Sequence, residues 1–205
     1  MLNSMKGSRR SHVRRFENKG FQMSSHRRLL TVGLTLVAVV TFAGCTTKPI
    51  RAVNSDGTYC HRIGKSYRPK LTCTPAPVPT AAVEAEAKRF EADPASLTVF
   101  VLRRSWGDPS VALAIDVDGS ARAYTIPDSL VRLRLSPTQH RLSMQWEGHK
   151  SDISVKGEAG QVQFVELVGS GWVWGTTFRW EATDSDSSKR RASASKLVAD
   201  LDLRR

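Results

Sequence analysis

From Leu97 onward, apolar side chains recur at every second position in short runs separated by turn-forming residues, and this period predicts β-strands. Leu97 to Leu102 is apolar on both faces, as a central strand is. Val111, Leu113, Ile115 and Val117 alternate with smaller or polar residues. Asp118-Gly119 then supplies a tight hairpin turn into Ala121 to Ile126. Val131, Leu133 and Leu135 point one way while Arg132 and Arg134 point the other. Ser136-Pro137-Thr138-Gln139 turns the chain into the alternation of Leu142, Met144 and Trp146, and Ile153 and Val155 follow the next turn. Gln161 to Val168 and Thr176 to Glu181 complete about eight strands. Short strands at this spacing predict a mainly β fold, an antiparallel β-sandwich. Two helices flank it: a short N-terminal one over Ala81 to Ala92, capped by Thr80 and carrying a Glu84 to Lys88 pair, and a C-terminal one with Ala194, Leu197, Val198 and Leu201 on one face. Thr183 to Lys189 reads as a polar loop between the last strand and that C-terminal helix.

The apolar pattern upstream is of another kind. Leu29 to Ala43 runs about fifteen residues without a charge behind Arg27-Arg28, which suits an export signal and is short for a ~30 Å hydrocarbon core. It ends in Phe42-Ala43-Gly44-Cys45, which resembles the bacterial lipobox, with Phe42 where leucine is usual. The resemblance implies cleavage ahead of Cys45, diacylglycerol on its thiol, a palmitate chain on the same residue, and a lipid-anchored protein of the bacterial cell envelope. Thr46, not being Asp, resembles the sorting pattern for the outer membrane, with the domain facing the periplasm. Residues 1–44 are thus expected to be a signal peptide, and since Met23 already starts a complete basic head, residues 1–22 read as preceding the true start.

That reading changes the meaning of the charge. The chain carries a formal net charge of +12, but residues 1–44 hold eight Lys/Arg against Glu17, which is +7; +5 remains from Cys45 onward. This modest excess suits anionic lipid better than nucleic acid. In an oxidising compartment the two further cysteines, Cys60 and Cys73, are expected to form a disulfide. A zinc site with His61 is the competing reading, but adjacent Cys60 and His61 cannot both face one ion easily and no fourth ligand is near. Residues 45–79, ending in Thr74-Pro75-Ala76-Pro77-Val78-Pro79, read as a lipidated, extended tether around that Cys loop, and residues 80–203 as the folded domain.

VFVLRRSW (99–106), VDGSARAY (117–124), LSPTQHRLSMQW (135–146) and AGQVQFVEL (159–167) together resemble the bacterial envelope proteins grouped as a domain of unknown function, DUF2846, over Ala81 to Leu201. In that pattern the first strand ends in an arginine, here Arg103. Pro137-Thr138 stands where the pattern carries Pro-Gly. The resemblance implies an immunoglobulin-like or transthyretin-like sandwich and no assigned chemistry.

No Gly-x-Ser-x-Gly elbow, phosphate loop or metal cluster is legible, and Ser170 lacks a surrounding pattern. His140 and His149 read as solvated, Asp118, two residues from Asp116 on one strand edge, as a turn-capping residue rather than half of a carboxylate pair, and Arg103-Arg104 and Lys189-Arg190-Arg191 as solvated faces. No enzyme, catalytic residue, metal or cofactor is expected. Gly169 to Trp180 concentrates Trp172, Trp174 and Trp180 and is the candidate binding segment, either packing across strands or offering an exposed platform. The expected function is a non-enzymatic binding or scaffolding module with an envelope protein or glycan as partner. The alternative is a small-ligand or glycan carrier using Trp172 to Trp180; an envelope hydrolase would need a histidine buried beside a carboxylate or serine.

Overall fold

The computed structural model describes residues 53–63, 70–105, 107–173, 175–183 and 185–204. The segment expected to be a signal, residues 1–44, and Cys45 and Trp174 lie outside them. The described chain is mainly β. Strands β1 (Cys60–Ile63) and β2 (Lys70–Cys73) form a small hairpin whose Cys60 and Cys73 pair in register and are disulfide-bonded. Helix α1 (Ala81–Ala87) follows, then β3 (Leu97–Arg103), β4 (Leu113–Val117), β5 (Ala121–Thr125), β6 (Ser129–Leu135), β7 (Gln139–Trp146), β8 (His149–Lys156), β9 (Val162–Trp172), β10 (Gly175–Ala182), α2 (Ser185–Ala194) and β11 (Lys196–Leu203).

Two larger sheets face each other. One has the order β10-β9-β3-β6-β11 and the other β5-β4-β7-β8. Between them lies a core built from alternate residues of both, including Leu97, Val99 and Val101 from β3, Ile115 from β4, Leu133 from β6, Leu142 from β7 and Leu167 from β9. This is the sandwich that period-two patterning demands. The opposite face of the five-stranded sheet carries a second apolar cluster, where Phe100, Leu102 and Leu130 meet Ala87 of α1 and Ala192 of α2. The helices therefore form a third layer.

Four expectations are corrected. First, the sandwich is not wholly antiparallel, since β3 runs parallel to β9 and β6 parallel to β11. Second, the C-terminal segment is a strand, and the expected polar loop before it is helix α2. Leu197, Val198 and Leu201 do fall at helical spacing, but Ala199, Leu201 and Leu203 also alternate with Asp200 and Asp202. Those two acids sit opposite Arg132 and Arg134 of β6 and form ion pairs with them, a charge ladder available only to a strand. Arg132 is correspondingly buried under α1, whose Glu86 binds it at 2.6 Å, instead of facing solvent.

Third, α1 stops well short of Ala92. Thr80 caps it, accepting from the Val83 amide, and Glu84 pairs with Lys88 at 2.7 Å. Phe90 then adopts φ 53°, a left-handed conformation that ends the helix and drops its ring onto Phe100 and Phe164, with centroids 5.0 and 5.5 Å away. Fourth, the described part of the segment before the helix, residues 53–63 and 70–79, is not an extended tether. Tyr59 is 2% exposed and belongs to the inter-sheet core, and Val78 packs beside it. Backbone bonds from Thr74 to Tyr59 and from Val78 to Gly57 fold the Pro-containing stretch back onto the hairpin.

Candidate functional site

The densest polar constellation lies where two turns meet at one end of the four-stranded sheet. The β4–β5 turn places Asp118 at φ 51° and Gly119 at φ 70°, left-handed at both central residues of the turn that the Ser120 amide closes on the Val117 carbonyl, which Asp-Gly accommodates at little strain. This aims the Asp118 carboxylate at the start of β7. Its Oδ1 accepts from the Arg141 amide at 2.8 Å and its Oδ2 lies 2.6 Å from His140 Nδ1. On the other side of the ring, His140 Nε2 lies 2.8 Å from the Ser136 carbonyl, 3.1 Å from Thr138 Oγ1 and 3.4 Å from Ser136 Oγ. His140 is 8% exposed, so the expectation of a solvated histidine is corrected. His149 is exposed as expected.

Burial of Asp118 favours its protonated form, but the Arg141 amide and the His140 ring outweigh this and hold its carboxyl below the ordinary aspartate range.

Carboxylate, imidazole and hydroxyls in sequence suggest a nucleophilic triad, but the hydrogen-bond roles differ. The nearest neighbour of Nδ1 is the Asp118 carboxylate and that of Nε2 is the Ser136 carbonyl, with the two hydroxyls farther away. A general base needs its second nitrogen free to take a hydroxyl proton. In this arrangement His140 is a clamp between turns.

The clamp separates two depressions. One, of about 480 Å³, lies along β7 and β8 and is lined by Gln139, Arg141, Ser143, Lys150 and Ser154 beside Asp118 and His140. The other, of about 180 Å³, lies toward Leu135 and Leu203. Cross-strand register sets Arg141 opposite Ser154 and Ser143 opposite Asp152, so the first depression is a polar sheet face carrying two cations, hydroxyls and an amide. Lys150 lies 3.8 Å from Asp152, a loose exposed pair that leaves the ammonium available.

The tryptophan segment divides. Trp180 is half-buried against the inter-sheet core, and its Nε1 donates to the Ser151 carbonyl at 3.1 Å, tying β10 to β8. Phe178 packs edge-on against Trp146 at 5.4 Å. These are packing residues. Trp172 is 73% exposed and lines none of the described depressions. A smaller cleft of about 250 Å³ does have aromatic walls, but they are Trp146 and Phe178, with Met144, Thr176 and Lys150.

Two buried ionic groups escaped the sequence reading. Arg103, expected on a solvated face, is fully buried; it donates to both oxygens of Asp108 at 2.8 and 2.5 Å and to the Thr125 carbonyl at 3.0 Å, and stacks over Phe178. Burial pushes the Asp108 carboxyl upward against the pull of that guanidinium. Gly169 leaves room for the pair, because a Cβ there would sit 2.8 Å from Phe178 and 2.9 Å from Asp108. Glu166, equally buried, receives Arg104 and Arg191 and pins α2 to β9. An arginine closing an otherwise apolar strand, with Asp108-Pro109 just beyond, was the available signal for the first. Nothing local marked the second.

Comparison with protein-family models and with curated proteins finds no match to this chain.

Proposed function

We propose that this chain is a non-enzymatic lipoprotein of the bacterial cell envelope, acylated at Cys45, whose sandwich binds or scaffolds an envelope protein or glycan. The observation that carries the reading is the polar depression along β7 and β8: Arg141, Lys150, Ser143, Ser154 and Gln139 present donors on a rigid sheet, and the clamp between the exposed Asp118 and the buried His140 fixes its end. Such a surface suits hydroxylated or acidic groups of a partner. The immunoglobulin-like or transthyretin-like type of the sandwich and kinship with DUF2846 belong to the same proposal, as does residence at the outer membrane. A site-specific photocrosslinker at Ser143 in the anchored protein tests it. Adducts formed in the host envelope from Ser143, and lost on Arg141→Ala with Lys150→Ala, support the reading; an adduct pattern the same as that from the remote Leu71 counts against it.

The carrier reading is favoured by a different observation, the cleft between Trp146 and Phe178. Trp146 Nε1 is buried there without a partner among the described residues, a donor available to a small bound molecule.

A further inference from the structure

The β9–β10 hairpin ends in a turn that ordinary hairpin chemistry does not explain. Trp172 pairs with Gly175, and Val173, which follows Trp172, stands where Asn, Asp or Gly is favoured. Val173 is 92% exposed and Trp172 73%, whereas the other exposed large apolar residues, Val53, Leu71 and Tyr124, are 58% exposed or less. From Leu167 to Phe178 the sequence contains no charged residue. On the adjoining loop, whose Gly107 carbonyl accepts from the Gly171 amide, Asp108 is buried against Arg103 and presents no free charge.

We infer that this hairpin tip dips into the lipid surface to which the chain is anchored. Three observations select lipid over a protein partner. An aromatic side chain buries about 150–250 Å², so a tip of this size falls far below the ~800 Å² per partner of a stable protein interface. A bilayer asks for no complementary shape. The indole Nε1 of Trp172 already donates to Ser170 Oγ at 2.7 Å, so its one polar atom enters an apolar medium satisfied. Finally, the first charged residue down β10 is Arg179, four residues from Gly175, or about 13 Å along a strand. A tip immersed by ~5–10 Å, the depth usual for interfacial segments, therefore carries no charged residue of β9 or β10 below the headgroups, and Lys150, beside Thr176 in the neighbouring cleft, is a cation for the headgroup level. Weak insertion of this kind becomes effective once a lipid anchor holds the tip at high local concentration, so the inference rests on the acylation of Cys45.

The test uses the full acylated chain in vesicles of phosphatidylethanolamine and phosphatidylglycerol. With Cys45 acylated and Cys60 bonded to Cys73, a Val173→Cys or Glu158→Cys variant offers one free thiol for an environment-sensitive dye; Glu158 lies in the turn that precedes β9, at the strand's other end. The expected result is that both chains float with the vesicles, that the dye at 173 brightens severalfold and is quenched by brominated acyl chains, and that the dye at 158 does neither. Flotation of both with the dye at 173 still in water overturns the tip inference and leaves the anchor standing. Failure of both to float overturns the anchor, and the tip with it. A dye at 173 that is already shielded before vesicles are added shows a second copy or another protein segment on the tip and likewise overturns the inference.

Discussion

Asp118 Oδ2 and His140 Nδ1 lie 2.6 Å apart across 22 residues of chain, so one pair fastens the β4–β5 turn to the turn that opens β7. Replacing His140 with Ala strands the Ser136 carbonyl and one Asp118 oxygen and is expected to cost about 1–3 kcal/mol. Urea unfolding measures it; an unchanged midpoint would remove the clamp from the account of the fold.

The same geometry predicts that neither Ser136 nor Thr138 is nucleophilic. A fluorophosphonate probe applied to the folded protein is expected to leave both unmodified. Labelling at Ser136 that disappears in His140→Ala would restore the hydrolase reading.

Arg103 and Asp108 neutralise each other in full burial. Asp108→Ala leaves a buried guanidinium without its carboxylate and is expected to destabilise by about 3–5 kcal/mol, whereas replacing both partners with apolar residues recovers much of the loss. Gly169→Ala presses on the same pair and on Phe178 and should cost about 1–3 kcal/mol. Thermal melts of the four proteins separate these cases, and a double variant as unstable as Asp108→Ala would contradict the assignment.

Trp180 and Trp172 should behave oppositely. Trp180→Ala opens the seam between β10 and β8 and is expected to cost about 3 kcal/mol or more, while Trp172→Ala leaves the melting temperature unchanged. Equal losses would mean that Trp172 packs as well.

Asp200 joins β11 to β6. Burial disfavours its charge, but hydrogen bonds from Arg132 and the nearby Arg134 prevail and hold its carboxyl below the ordinary aspartate value. Because the folded value lies below the unfolded one, about 3.9, the stabilisation is complete above that pH and disappears as pH falls through the folded value. Denaturant unfolding at pH 7, 5, 4 and 3 is expected to show stability declining only at the acid end, with Asp200→Asn weaker at neutral pH and flatter below pH 4. Parallel curves for parent and variant would exclude the linkage.

The strands and most turns were legible because burial of one face imposes period two, and Asp118-Gly119 fixes its turn by backbone conformation alone. What escaped depended on partners distant in the chain. Leu197 and Leu201 satisfy helical and strand periods equally, and only Arg132 and Arg134, more than sixty residues earlier, decide between them. Phe90 ends its helix because Phe100 and Phe164 await its ring. His140 looked solvated because its carboxylate arrives from another hairpin. Tyr59 belongs to a segment whose later prolines, Pro75, Pro77 and Pro79, suggest a spacer, yet the inter-sheet core takes it in.

The parallel pairing of β6 with β11 also dictates an order of events. Strands β4, β5, β7 and β8 meet through neighbouring hairpins and can assemble as each is made, but the outer rim of β6 waits for a partner whose register begins 67 residues later, at Lys196 opposite Ser129. Until that partner arrives, β6 presents unpaired amides and carbonyls, the surface on which stray chains add. Completion of this sandwich thus waits on its last strand, and a holdase that shields β6 in the interval would raise the yield of native protein without touching its final stability.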